Sequence, residues 1–119
     1  MILRTSLRPE LDIELVAFHG ELDAASAPDL RARLGEVVEM PRGALLIDLC
    51  DCTFIDSLGV AAVVRAAKGM HERDRSLAVA TSSPQIRRVL SLTGADELLD
   101  VHWSREDAVD RLAEQLGGP

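Results

Sequence analysis

The chain has 119 residues, of which 47% are hydrophobic and 28% are charged, and this length and composition predict one globular domain. Its 13 basic and 20 acidic residues give a formal net charge of −7, which repels nucleic-acid backbones and anionic lipid headgroups. Only 3% of the residues are aromatic, which leaves few stacking platforms for bases, and we therefore expect no direct contact with nucleic acid.

The sequence also limits location and cofactors. No apolar stretch approaches the length of a membrane span or forms a signal peptide, so we expect a cytoplasmic protein without membrane insertion. Cys50 and Cys52 are predicted to share one face of a strand and are interpreted as small buried apolar side chains, with a redox role as the alternative. The three histidines lie at no zinc-ligand spacing, and we expect neither a metal nor a cofactor.

Hydrophobic periodicity predicts strands that alternate with helices. The predicted elements are, in chain order, strands at 2–7 and 11–18 with a turn at Pro9 and Glu10, a helix from Ser26 to about Met40, a strand beginning at 44–47, a helix at 57–71, a strand at 77–80, a helix opened by Ser83 and ended near Gly94, a strand at 98–101, and a helix from Ser104 to Leu116.

Local signals refine this order. Residues 26–29 and 104–107 have the form of a capping box, and the charged run at 72–75 is interpreted as a solvated turn. The nearly continuous apolar run that begins at Ala44 is typical of a central strand covered by helices on both faces. Together they predict a single α/β domain at 1–116, with a mixed sheet of four to five strands, an antiparallel N-terminal hairpin followed by parallel strands, about four helices, and a flexible tail at 117–119.

The sequence contains none of the common enzyme motifs. The eight glycines form no phosphate-binding loop, and Ser57 lies outside a Gly-x-Ser-x-Gly elbow with no histidine that obviously serves as its base. The carboxylate pairs Asp48/Asp51 and Glu97/Asp100 are interpreted as strand-end and loop charges. We therefore expect no enzymatic activity.

The most informative segment joins a buried strand to a helix at Asp56-Ser57. Either residue can serve as the N-cap, which is the purely structural interpretation. The helix that follows is apolar on more than one side, so Leu58, Ala61 and Ala62 need cover either from neighbouring helices or from a partner protein. Both alternatives stay open. Gly59 is likewise explained either by close approach of a partner backbone or by tight packing of helix on strand.

The run Phe54-Ile55-Asp56-Ser57-Leu58-Gly59-Val60, with Gly20-Glu21-Leu22-Asp23 upstream, resembles the STAS family of bacterial anti-sigma-factor antagonists, and the order of elements agrees over nearly the whole chain. The resemblance implies a partner switch in which the unmodified protein binds an anti-sigma factor that is also a serine kinase. The kinase, which binds the ATP, would phosphorylate Ser57, and the complex would then dissociate. A serine phosphatase would remove the phosphate and restore binding.

The resemblance also implies partner contacts at Asp23 and Asp56. We further predict partner contacts at residues that lie near Ser57 at the start of the helix, namely Leu58, Gly59, Ala61 and Ala62. Many family members carry a small or hydroxyl residue where this chain has Leu58, which indicates an altered docking surface. Two other functions stay open. One is a non-phosphorylated STAS subunit that braces the ATPase of an ABC-type lipid transporter, and the other is a small hydrolase or nucleotide-binding enzyme that uses Ser57.

Overall fold

A computed structural model describes residues 1–7, 11–92 and 98–117. The turn predicted at Pro9 and Glu10, the helix end predicted near Gly94, and Glu97 of the Glu97/Asp100 pair lie outside these residues, as do 118 and 119. The described elements are β1 (Ile2–Leu7), β2 (Ile13–Phe18), β3 (Gly20–Leu22), α1 (Ala27–Val38), β4 (Ala44–Asp48), β5 (Cys52–Ile55), α2 (Ser57–Glu72), β6 (Leu77–Ala80), α3 (Pro84–Leu92), β7 (Asp100–His102) and α4 (Arg105–Gly117). None of these helices is long and apolar enough to cross a membrane.

The main sheet has five strands in the order β1-β2-β4-β6-β7. Strand β1 runs antiparallel to β2, and the other neighbours pair in parallel, which confirms the predicted hairpin and mixed sheet. Strand β4 is central, and all five of its residues are buried because helices cover both faces. Leu45 and Ile47 face the core beneath α1, α2 and α3, whereas Ala44 and Leu46 face α4.

A second, two-stranded sheet was not predicted. Strand β3 pairs in parallel with β5, with Leu22 opposite Ile55. Strands of three and four residues are too short for hydrophobic alternation to reveal them. This ladder joins the loop after β3 to the start of α2 and therefore positions the residues around Ser57.

The cysteines differ from the prediction in their placement. Cys50 lies in the turn after β4, whereas Cys52 begins β5, so the prediction that they share one face of a strand is wrong. Both are free; Cys52 is buried in the core, and Cys50 is half-buried against the cluster beneath α4. Burial raises the pKa of Cys50 to about 11 and raises that of Cys52 as well. Little reactive thiolate is therefore present at neutral pH.

The two predicted capping boxes have different outcomes. The Ser26 hydroxyl accepts a hydrogen bond from Asp23 N at 3.0 Å and donates to Glu21 O at 2.8 Å, and it caps no N–H group of α1, so that prediction is wrong. At α4, Ser104 Oγ accepts from Asp107 N at 3.1 Å, as a helix cap should. Helix α4 includes Gly117, the first residue of the predicted tail.

Arg75 does not belong to a solvated turn, and that prediction is wrong for this residue. Its guanidinium donates hydrogen bonds to the backbone carbonyls of five residues that end α1 or lead into β4, namely Val37, Val38, Met40, Arg42 and Gly43. The last carbonyls of a helix have no partner within the helix, so Arg75 satisfies groups that would otherwise need water. One side chain thus ties the start of β6 to the end of α1.

Asp48 is a second buried charge with a structural role. It lies at the end of β4 and accepts from Cys50 N at 2.9 Å and from Arg105 Nε at 2.8 Å. Burial alone would raise the pKa of Asp48, but the hydrogen bonds from Cys50 and Arg105 outweigh it and lower the pKa. The pair holds the start of α4 against the central strand.

Candidate partner-binding site at the start of α2

The β3–β5 ladder brings the start of α2 next to the loop that precedes α1. Asp56 N donates a hydrogen bond to Leu22 O at 3.1 Å, directly after the Leu22–Ile55 pair. Asp23 follows Leu22, and its Oδ1 atom accepts from Ala25 N at 3.0 Å and from Ser26 N at 3.2 Å. Asp23 therefore fixes the shape of a loop that lies beside α2.

Asp56, and not Ser57, caps α2. Its backbone is extended, with φ −108° and ψ −174°, and its Oδ1 atom accepts from Leu58 N and Gly59 N, both at 3.0 Å. Ser57 is the first residue of the helix and is exposed. Because Asp56 takes the capping role, the Ser57 hydroxyl makes no hydrogen bond within the described part of the chain. It is available for modification without loss of the cap.

The residues expected on one surface divide into two groups. Leu58 is 52% exposed, and Ala61 is exposed one turn further along α2. Gly59 is buried, so the expectation that it lies on this exposed surface is wrong. Ala62 is also buried and does not belong to this surface, but it lines the groove described next. A Cβ atom on Gly59 would lie 2.7 Å from Leu22 Cγ and 2.9 Å from Ile55 Cγ1, so Gly59 serves tight packing of helix on strand.

A groove that no sequence pattern predicted lies between α1 and α2 and begins at Leu58. We call it the α1–α2 groove. It consists of two adjoining cavities of about 620 and 640 Å³ that share the residues Arg31, Gly35, Ala61, Ala62 and Arg65. Ala24 and Pro28 line its end next to Leu58. The sequence shows small residues on α2, but only the structure shows that α1 lies opposite them.

Metal binding finds no support in residues 1–7, 11–92 and 98–117, where no three His, Cys, Asp or Glu side chains are grouped to hold an ion. The exposed residues at the start of α2 include Ser57, Leu58 and Ala61, and Phe54 is exposed on the strand before it. Such a surface suits contact with another protein better than small-molecule chemistry.

Comparison with known proteins decides the family. The family model described as "Mlab, STAS domain" matches residues 10–100. The chain belongs to the STAS family. This finding confirms the resemblance drawn from residues 54–60 and from the order of elements.

This STAS domain is similar to several anti-sigma-factor antagonists. It is 34% identical over 101 residues to the anti-sigma-B factor antagonist of Bacillus subtilis strain 168, covering 84% of this chain and 90% of that protein. It is 31% identical over 83 residues to the anti-sigma-B factor antagonist of Listeria monocytogenes serovar 1/2a, covering 69% and 72%. The crystal structure of an anti-sigma factor antagonist from Mycobacterium paratuberculosis has a TM-score of 0.80 at 26% identity, covering 94% of this chain and 92% of that one.

The cap assignment leads to a stability prediction for the STAS domain. Asp56→Ala removes the acceptor of two backbone N–H groups and is expected to lower the free energy of unfolding by about 1 kcal/mol. Asp56→Asn retains a side-chain acceptor, so its free energy of unfolding should fall much less. Ser57→Ala should stay within about 0.5 kcal/mol of the wild type. Urea unfolding monitored by circular dichroism measures all three, and an equal loss for Ser57→Ala would contradict the assignment of the cap to Asp56.

Proposed function

We propose that this STAS domain is a cytoplasmic anti-sigma-factor antagonist that binds an anti-sigma serine kinase while Ser57 is unmodified. Phosphorylation of Ser57 by that kinase, with ATP bound to the kinase, ends the complex, and a serine phosphatase restores binding. The domain itself catalyses nothing. The observation that carries the proposal is the exposed hydroxyl of Ser57 at the start of α2, left without a capping role by Asp56.

The position of Ser57 explains how one phosphate would break a complex and spare the fold. A phosphoryl group adds about −1.5 to −2 charges, which the N-terminal end of a helix tolerates. Within an interface, the same group would be desolvated next to the exposed apolar side chain of Leu58 and repelled by the Asp56 carboxylate. Every 1.4 kcal/mol of that cost weakens binding about tenfold, so a few kcal/mol suffice without a conformational change.

Two further observations support the proposal. The curated relatives with 31% and 34% identity are named anti-sigma-B factor antagonists. The loop that carries Asp23 is hydrogen-bonded through Leu22 to the start of α2, so Asp23, Asp56 and Ser57 can meet one partner together. Leu58 and Ala61 extend this surface, Gly59 packs beneath it, and Ala62 lines the adjoining groove.

The test mixes the purified protein with the candidate anti-sigma kinases of its host and ATP, maps phosphate by mass spectrometry, and measures binding by calorimetry. We expect phosphate on Ser57, binding by the wild type and by Ser57→Ala, and loss of binding by Ser57→Asp. Thr53→Ala is the matched control because Thr53 is the nearest other hydroxyl, exposed on β5 before the helix, and should change neither result. Equal binding by the wild type, Ser57→Ala and Ser57→Asp would contradict the switch.

A second candidate function is the non-phosphorylated subunit that braces the ATPase of an ABC-type lipid transporter. The observation that favours it is the apolar character of Leu58 and Ala61, which can pack against a partner without any modification of Ser57. In that case the domain would bind a transporter ATPase of its host, and incubation of the complex with ATP and the candidate kinases would leave Ser57 unmodified.

A further inference from the structure

The α1–α2 groove contains a glycine that the fold itself does not require. Gly35 lies inside α1, where glycine is less favourable than any residue except proline. An added Cβ atom at Gly35 would meet nothing within 4 Å, whereas at Gly69, across the groove, it would lie 2.8 Å from Val38 Cγ1. Gly35 also lacks the positive φ that would call for glycine. Packing within the described part of the domain therefore does not require a glycine at position 35, and the lack of a side chain there keeps the groove open.

Unpaired cations line the same groove. Arg31 on α1 and Arg65 on α2 line both cavities, and Lys68 lines one of them. All three are exposed, and none makes an ion pair with an acidic side chain in the described part of the chain. Arg73, further along, is paired with Glu39 at 3.3 Å. Glu72 also lines the groove, but four cations, Arg31, Arg65, Lys68 and Arg73, outnumber the two carboxylates, Glu39 and Glu72. The groove therefore carries a net positive charge in a chain whose net charge is −7.

The walls of the groove favour one kind of occupant. Both walls are α-helices, whose backbone groups are already hydrogen-bonded internally, so an added β-strand would gain no backbone partner. A helix needs only side-chain packing, and the small residues Gly35, Ala61 and Ala62 allow it to approach closely. Carboxylates on the polar side of such a helix would complement the three cations.

We propose that the α1–α2 groove binds an acidic amphipathic helix of the same partner that meets Ser57. This inference rests on the proposed function, because the groove opens beside Leu58 and so continues the surface around the serine. It adds a second contact region, with a stated chemistry, to that surface. Selection of the partner would then depend on the charge of this helix as well as on the contacts at Ser57.

Charge reversal tests the proposal on the complex with the cognate kinase. The double variant Arg65→Glu/Lys68→Glu is expected to weaken binding at least about tenfold and to reduce its dependence on salt between about 50 and 300 mM. The control Arg33→Glu/Arg42→Glu makes the same change in net charge outside the groove, where these residues pair with Glu36 and Asp12. It should bind within about twofold of the wild type.

A steric variant tests the groove without a change in charge. Gly35→Leu fills open space, so it should fold normally by circular dichroism but bind the kinase at least about tenfold more weakly. Gly35→Ala adds only a Cβ atom and should have a much smaller effect. Hydrogen–deuterium exchange of the kinase should show a helix rich in Asp and Glu that is protected in the wild-type complex and loses protection with Gly35→Leu.

The outcomes separate this inference from the proposed function. If the kinase binds the wild type, and binds Arg65→Glu/Lys68→Glu and Gly35→Leu just as tightly, the groove proposal is overturned and the proposed function stands. Protection of only neutral or basic kinase segments would overturn it as well. A dimer of the domain in sedimentation that Gly35→Leu abolishes would make a second copy the occupant and would also overturn it. No wild-type binding to any kinase would overturn the proposed function and this inference together.

Discussion

Arg75→Met is expected to lower the free energy of unfolding by about 3 kcal/mol or more. The substitution removes the guanidinium donor from five backbone carbonyls at the end of α1 and before β4, of which Val37 O keeps a hydrogen bond from Met40 N at 3.1 Å. Most of these hydrogen bonds are half-buried, so water cannot replace all of them, and each unsatisfied buried group costs about 1–3 kcal/mol. The charge of Arg75 lies partly out of solvent, and this burial lowers its pKa.

Urea unfolding of matched variants measures this loss. Arg75→Lys has three donors in place of a planar fork of five and should recover only part of the stability. Arg73→Met is the control two residues earlier, because among the described residues the Arg73 side chain makes only an exposed ion pair with Glu39 and one bond to Gly69 O. It should cost less than about 1 kcal/mol. Equal losses for the methionine variants at 73 and 75 would contradict the structural role of Arg75.

Gly59→Ala is expected to destabilise the domain by about 1–3 kcal/mol and to weaken partner binding. The new methyl group would lie 2.7 Å from Leu22 Cγ and 3.0 Å from Leu22 O. That carbonyl accepts the hydrogen bond from Asp56 N, so it cannot move without disturbing the start of α2. The strain is relieved most easily by displacing α2, and that would displace Ser57 and Leu58 as well.

Gly35→Ala provides the opposite case in the same chain. An added Cβ atom at Gly35 meets nothing, so this variant should gain up to about 1 kcal/mol from helix propensity. Thermal unfolding therefore should shift in opposite directions for the two glycine-to-alanine substitutions. A rise in melting temperature for Gly59→Ala would show that α2 does not pack against Leu22 as tightly as described.

The sequence predicted the elements of the main sheet because their signals are local. The apolar run at Ala44 and the alternation at Ile13 reflect the two faces of each strand, and both strands lie where they were expected. The carbonyls that surround Arg75 come from residues more than 30 positions away, so four neighbouring charged residues indicated only a turn. The last strand, Asp100–His102, is displaced from the predicted 98–101 because a three-residue edge strand carries little pattern.

The site was predictable in position but not in geometry. Asp56 and Ser57 are residue types that favour a helix start, but the sequence does not show which of them is the N-cap. The extended backbone of Asp56 in the structure decides this. The role of Gly59 depends on Leu22, which lies 37 positions earlier and reaches Gly59 only through the β3–β5 ladder that periodicity did not reveal. The groove required knowledge of how α1 lies against α2.

The β3–β5 ladder has a consequence for the kinetics of recognition. Leu22 pairs with Ile55, accepts from Asp56 N and packs on Gly59, so hydrogen bonds and packing join the loop of Asp23 to the first turn of α2. A partner that binds both would lose little conformational entropy in ordering them, because the fold has already ordered them. Association should then be limited by diffusion and orientation, without a slow rearrangement step in this domain.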